Sequence, residues 1–296
     1  MEQINTNTKE GIMKLVEDVY ELAENFMRNS VYVKLNEKRI SQTASRMIDD
    51  QPSPFPRQHE VTDDATVCLL ELIGGAINYC YWYGKSDVRP NGCRSSKMYK
   101  MVTEAMNYFE WDNFEECIEM LVQLLATNRF PMLEEREKHL VELVKFNAPD
   151  FAIKIASDNH KDCEPFFYEL VSTYTGYASD MFLKRASLFF LQLYRKLGWY
   201  EDSISRLHVP ADYQVPKVLE YFGCIEYSEG LKAMIDSHMP LPKHSVYECE
   251  IRAATVLACK KLMELTKWNL SDIDGWFWLG SKKVDGPFNL TITTDY

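Results

Sequence analysis

Two short stretches set carboxylates among aromatic rings. In "VPADYQVPKVLEYFG" (209–223), Asp212 is followed by Tyr213 and bracketed by Pro210 and Pro216; in "SDIDGWFWLG" (271–280), Asp272 and Asp274 precede Trp276, Phe277 and Trp278. An acid packed against rings has its charged form disfavoured, which is how acid and base groups are tuned for catalysis. A third stretch, "INYCYWYG" (77–84), holds Tyr79, Tyr81, Trp82 and Tyr83 within five residues. That is more aromatic surface than one buried helical face needs, and it points to rings lining a cavity or stacking on a flat ligand. Each stretch also has a purely structural reading. Asp212 and Asp272 are placed to cap the helices that follow, the first expected to begin near Pro216, and the rings are equally suited to the core.

Weaker candidates surround these. Lys184 and Arg185 open the apolar run "LKRASLFFLQLYRKLG", where they either hold an anion or snorkel to the surface. His59 lies in a proline-rich loop, facing solvent or ligand. Glu248 and Arg252 stand four apart, the spacing of an ordinary helix ion pair. No GxGxxG, Walker loop, HExxH or GxSxG occurs, so the best-marked nucleotide, metal and serine chemistries find no motif here.

Composition narrows the classes further. The 296 residues carry a formal net charge of −11. No basic stretch is available to neutralise a phosphate backbone, which argues against long nucleic acid as a partner while allowing a local site for one phosphate. Eight cysteines without a CxxC pair argue against both a zinc site and a disulfide framework, and Cys68, Cys80, Cys117 and Cys259 read as small core side chains. The start "MEQINTNTKEGIMKL" is polar and acidic, unlike a signal peptide. No apolar run reaches the ~20 residues of a membrane span. The expected location is cytoplasmic, with no membrane partner.

The elements that must position these residues are mostly helices. Ile12, Leu15, Val16, Val19, Ala23 and Phe26 share one face of an N-terminal helix within 1–29. "SVYVKLNEK" alternates like a short strand, and "RISQTASRMI" continues as a helix. The proline-rich stretch 50–64 must be irregular, after which Asp63 or Asp64 caps an apolar helix across "ATVCLLELIGGAINYCYWYG". Helices are expected over "KMYKMVTEAMNYF", "NFEECIEMLVQLLATN" and "PMLEEREKHLVELVKF". In the last, Pro131 suits the first helical position and Leu133, Leu140, Val141 and Val144 share a face. "MFLKRASLFFLQLYRKLG" reads as a buried central helix, and "YECEIRAATVLACKKLMEL" turns Tyr247, Ile251, Ala254, Ala258 and Leu262 inward. "FNLTITTDY" alternates like a strand that could pair with the early one. No 34-residue repeat recurs. The expectation is one mainly α domain over 1–296 with a small β element.

Several ordered segments carry the reading further. "SVYVKL", "INYCYW", "FPMLEER" (130–136), "LKRAS" (183–187), "ADYQVPKVLEYFG" (211–223), "CEIRAAT" (249–255) and "IDGWFW" (273–278) together resemble the queuosine salvage family, the queuosine 5′-phosphate N-glycosylase/hydrolases. The resemblance implies a helical fold similar to DNA glycosylases, and hydrolysis of queuosine 5′-monophosphate to release queuine for tRNA modification, without metal or organic cofactor. It implies that Asp212 binds the base N–H groups with Tyr213 nearby, and that Asp274 and Trp278 belong to the active site. It further implies that His59 contacts the ligand and that Lys184 or Arg185 faces the phosphate. Trp82, from the third aromatic stretch, joins this set as a ring for the base, and the chain is expected to act as a monomer. Gln214 stands where the family carries arginine, and Leu279 where it often carries an acid. The second departure motivates a rival reading, a catalytically silent binder of queuine or its nucleotide. The amphipathic helices between Met98 and Phe146 motivate another, a helical interaction scaffold.

Overall fold

Apolar residues at three- and four-residue spacing become the inward faces of helices along the chain, seen here in a computed structural model that describes residues 9–51, 63–83 and 89–296. His59 and most of the proline-rich stretch lie outside those residues. The first part comprises α1 (Lys9–Arg28), β1 (Val33–Leu35), α2 (Glu37–Asp50), α3 (Asp64–Ala76), α4 (Ser95–Met106), α5 (Phe114–Thr127) and α6 (Leu133–Lys145). Then follow α7 (Ala148–Ala156), α8 (Glu164–Thr173), α9 (Thr175–Ala178), α10 (Lys184–Leu197) and α11 (Gln214–Tyr221). β2 (Ile225–Tyr227), α12 (Glu229–Asp236), α13 (Val246–Thr266) and α14 (Leu270–Gly280) complete the chain. None of the described helices is long and apolar enough to cross a membrane.

Two helices are central. On α13 every residue from Glu248 to Cys259 is buried, because α1, α2, α11, α14 and β1 surround it. α3 is buried almost all round among α4, α6, α7 and α10. α10 joins the two groups, touching α3 as well as α8 and α14, and is buried along most of its length as its apolar run predicts. The cysteines are free and buried, in keeping with their reading as core side chains.

Several expectations need correction. β1 pairs antiparallel with β2, Val33 opposite Tyr227 and Leu35 opposite Ile225, not with the 288–296 segment, which forms no strand. The reason lies on α13. The Glu250 carboxylate accepts the backbone N–H groups of Val31 (3.1 Å), Tyr32 (2.7 Å) and Val33 (2.9 Å), fixing β1 beside that helix. The 288–296 segment instead bonds through single contacts, such as Cys80 N–H to the Tyr296 carbonyl at 3.1 Å. On α6, Leu143 rather than Val141 faces inward; Val141 is 54% exposed. Pro131 lies outside that helix, which begins at Leu133 after Met132 in the left-handed region. α3 is capped by Asp63, whose carboxylate accepts Thr66 N–H at 2.8 Å, but it stops at Ala76 instead of continuing through the aromatic run.

Buried arginines explain that stop and more. Arg136 of α6 donates to the carbonyls of Pro131 (2.8 Å), Tyr79 (2.6 Å), Cys80 (2.7 Å) and also Ile77, so the 77–80 backbone bonds a guanidinium in place of a helical ladder. Arg185 donates to the Ala76 carbonyl at 2.5 Å and to that of Gly176. Arg252 is no ordinary helix ion pair with Glu248. It forms a two-pronged bond to Asp180 (2.7 and 2.6 Å) and donates to the Ala211 carbonyl at 3.1 Å, with Glu248 farther off at 3.5 Å. Asp180 in turn accepts the N–H groups of Phe182 (3.0 Å) and Lys184 (2.9 Å), which closes the start of α10. Arg252→Met strands Asp180 and Glu248 as unpaired buried acids and is expected to cost about 3–5 kcal/mol. Urea unfolding measures this, and the double variant Arg252→Met/Asp180→Asn should recover part of the loss.

Candidate active site

Six parts of the chain converge on a cavity of about 200 Å³. The non-helical stretch shaped by Arg136 contributes Asn78, Tyr79 and Tyr81. The first turns of α4 contribute Ser95, Ser96 and Tyr99, and α4 reaches this position because Gly74 has no Cβ to collide with the Tyr99 ring. α10 contributes Lys184, Leu188, Gln192 and Arg195; steps of four, four and three place them on one face. The loop before α11 adds Pro210, Asp212 and Tyr213, α14 adds Asp274 and Trp278, and Tyr296 closes the wall.

Asp212 answers both of its readings. Its Oδ1 accepts the N–H groups of Gln214 (2.7 Å) and Val215 (3.3 Å), so it closes the start of α11, which begins at Gln214 rather than at Pro216. Its other oxygen has no partner among the described residues, and the carboxylate lines the cavity. The residue is half-buried. Burial therefore raises its pKa above the ordinary carboxylate value, and the negative charge of Asp274 adds to the rise. The nearby Lys184 and the two N–H groups oppose it.

Asp274 has a different setting. It is 5% exposed, and one oxygen accepts from Arg195 Nη2 at 2.7 Å. Asp272, two residues earlier, is structural: it completes a capping box with Asn269 at the start of α14. Trp278 shares the cavity face of α14 with Asp274, while Trp276 packs on Phe222 at 5.2 Å and Phe277 enters the core. Leu279 faces a separate groove of about 490 Å³ together with Trp276 and Phe222. An acid at position 279 would stand outside the cavity of Asp212 and Asp274.

The basic and aromatic candidates separate in the same way. Lys184 is 4% exposed and lines the cavity, its ammonium meeting no hydrogen-bonding or ion-pair partner among the described residues. Burial lowers its pKa to about 8, against the opposing pull of Asp212. Arg185 is turned away to backbone carbonyls and plays no part in the wall. Trp82 is also outside it: the indole packs edge-on behind Tyr213 at 4.9 Å and against Phe288 at 5.6 Å, supporting the wall from behind. Tyr213 lines the cavity, its hydroxyl accepting from Arg89 at 3.3 Å. Tyr83, at the end of the aromatic run, is half exposed. Sequence reasoning missed Gln192, Arg195, Tyr99 and Tyr296. The first two were signalled by their helical spacing from Lys184 inside an apolar helix; the others left no local trace. Among the described residues no three His, Cys, Asp or Glu side chains stand together as a metal site.

Comparison with known proteins places the chain by sequence. A family model described as queuosine salvage protein matches residues 59–284. The chain is 42% identical over 88 residues to a queuosine 5′-phosphate N-glycosylase/hydrolase of Dictyostelium discoideum, covering 28% of this chain and 27% of that one. It is 31% identical over 150 residues to a protein of the same description from Sphaerobacter thermophilus, covering 45% and 46% respectively. The matched stretches thus span less than half the length of either curated relative.

The contrast between the two acids has a measurable consequence. A raised pKa means the folded chain holds the Asp212 proton more tightly than the unfolded chain does, so ionisation at neutral pH works against folding. Asp212→Asn, which keeps the oxygen that closes α11, should melt at or above the wild-type temperature at pH 7. Asp274→Asn removes the charge from the acceptor that Arg195 bonds at 2.7 Å and should melt lower, by about 1–3 kcal/mol of stability. Thermal scans of both variants at pH 7 check the pair.

Proposed function

The chain belongs to the queuosine salvage protein family, and on that footing we propose that it hydrolyses the N-glycosidic bond of queuosine 5′-phosphate and releases queuine. The observation that carries this reading is that Asp212 and Asp274, remote in sequence, line one aromatic cavity. Breaking a ribosyl–nitrogen bond builds positive charge on the sugar, and preorganised negative charge beside it lowers the barrier. Two carboxylates also allow one to manage the attacking water or the departing base, as in glycoside hydrolysis.

In this reading Asp212 receives the amino and ring N–H groups of the deazaguanine on the oxygen that α11 leaves free. Tyr213 and Trp278 cover the flat ring. Asp274 supplies the second negative charge. Water adds to the anomeric carbon as the bond to the base nitrogen breaks; the base leaves with a proton and the sugar keeps the hydroxyl. The cavity is smaller than the ~300–1,000 Å³ common for whole ligands, so it accommodates the base and the reacting face of the ribose, with the phosphate at its margin. Lys184, buried and with an ammonium that meets no partner among the described residues, is the cation we assign to that phosphate. The phosphate contributes binding energy remote from the bond that breaks. The substrate is one small anionic nucleotide, which a chain of net charge −11 can bind through a single local cation.

Two outcomes test the proposal. Mass spectrometry after mixing the protein with queuosine 5′-monophosphate should find free queuine, and Asp212→Asn and Asp274→Asn should each slow its release by at least about 100-fold. Absence of queuine from the wild-type reaction, or full activity in both variants, would refute it. With Lys184 titrating near pH 8, kcat/KM for the phosphorylated substrate should fall as pH rises through that value. Lys184→Arg should move the decline to higher pH, because a guanidinium keeps its charge there.

A further inference from the structure

Arg195 has no role in the reading above, yet it faces the same cavity from the last turn of α10. Its Nη2 donates to Asp274 Oδ2 at 2.7 Å and to the Ser271 carbonyl at 3.2 Å, and its Nε donates to Ser271 Oγ at 3.0 Å. Arginine and acid are 8% and 5% exposed. One guanidinium therefore grips the opening turn of α14 and, one residue row along, the carboxylate of its cavity face. Asp274 Oδ1 has no partner among the described residues and is left to the cavity.

We propose that Arg195 is the positioning residue for Asp274, holding one carboxylate oxygen so that the other presents a fixed negative charge to the reacting ribosyl carbon. This rests on the N-glycosidase reading. Two acids in one small, poorly hydrated space disfavour each other's charge, and the usual outcome is that one takes up a proton. The groups facing Asp274 are Arg195 from α10, Asp212 from the loop before α11, and the Cys259 thiol from α13, which burial keeps protonated. Arg195 is the cation in direct contact among them. A charge-assisted bond of this kind keeps the anion in place without rearrangement as positive charge develops. The fork matters as much as the charge, since a lysine ammonium cannot reach the Ser271 hydroxyl, its carbonyl and Asp274 in one planar arrangement. Asp212, by contrast, is held by backbone N–H groups alone, so the two acids are mounted differently and the pinned one is Asp274.

The test compares the full-length wild type with Arg195→Met, Arg195→Lys, Asp274→Asn and the double variant Arg195→Met/Asp274→Asn, measuring queuine release from queuosine 5′-monophosphate. Expected is a fall in kcat of at least about 30-fold for Arg195→Met with KM changed less than about threefold, the mark of an interaction made in the transition state. Arg195→Lys should recover only part of kcat. The double variant should be no slower than Asp274→Asn alone, because both changes remove one shared function. Methylguanidinium added to Arg195→Ala should restore turnover, which a merely structural defect would not allow. A kcat within about threefold of wild type in Arg195→Met, or losses that add in full in the double variant, would overturn the proposal. Should Arg195→Met not fold, an unchanged kcat in Arg195→Lys would do so equally. A wild type that releases no queuine would refute the N-glycosidase reading, and this inference with it.

Discussion

The architecture around the cavity hangs on the contact between Arg252 and Asp180, a two-pronged bond of 2.7 and 2.6 Å between groups each about 1% exposed. Its reach explains its weight. The Asp180 side of the bond closes the start of α10 and so places Lys184; on the other side the same guanidinium holds the Ala211 carbonyl, one residue before Asp212. A buried ion pair rarely contributes net stability over a well-packed apolar pair of the same volume. What it contributes here is location. It ties α13, the start of α10 and the loop before α11 to one point, and the last two are walls of the cavity.

The same device recurs with other arginines. Arg136 serves the carbonyls of the 77–80 stretch, Arg185 serves Ala76 and Gly176, and Arg195 links α10 to α14. Arg136 and Arg185 let backbone depart from regular structure inside the protein, where an unpaired carbonyl would otherwise be costly. Non-helical backbone supplies part of the cavity, namely Asn78, Tyr79, Tyr81, Pro210 and Asp212, and helices supply the rest. Much of what makes the chain resemble its family is thus scaffolding: "FPMLEER" contains Arg136, "LKRAS" contains Arg185, and "CEIRAAT" contains Glu250 and Arg252.

How much of this could be read from residues alone depended on the range of the interaction. Helices with a clean apolar face, such as α1, α10 and α13, were legible, because periodicity is local. The end of α3 was not, because a guanidinium donated from residue 136 decides it. The strand partner was misjudged for a similar reason: alternation in 288–296 looked strand-like, but the carboxylate that fixes β1 sits on α13. Of the residues expected at the site, Asp212, Tyr213, Asp274, Trp278 and Lys184 line one cavity. Arg185 was drawn in by adjacency to Lys184, although one residue on a helix turns the side chain by about 100°, toward Ala76. Trp82 was counted for its ring and proved to stand behind Tyr213. The bond from Arg195 to Asp274 crosses 79 positions and had no signature beyond the spacing of α10.

Asp212 serves two masters, and that shapes what natural variation could do with this cavity. One oxygen starts α11 and the other is exposed to whatever occupies the space, so replacing the residue to suit a new ligand would also disturb the helix that packs on α14. Gln192, Ser95 and Ser96 face the same space without any such structural duty. Drift in ligand preference among descendants of this chain should accordingly accumulate on α4 and α10, while position 212 stays confined to side chains, such as Asp or Asn, whose oxygen can close α11.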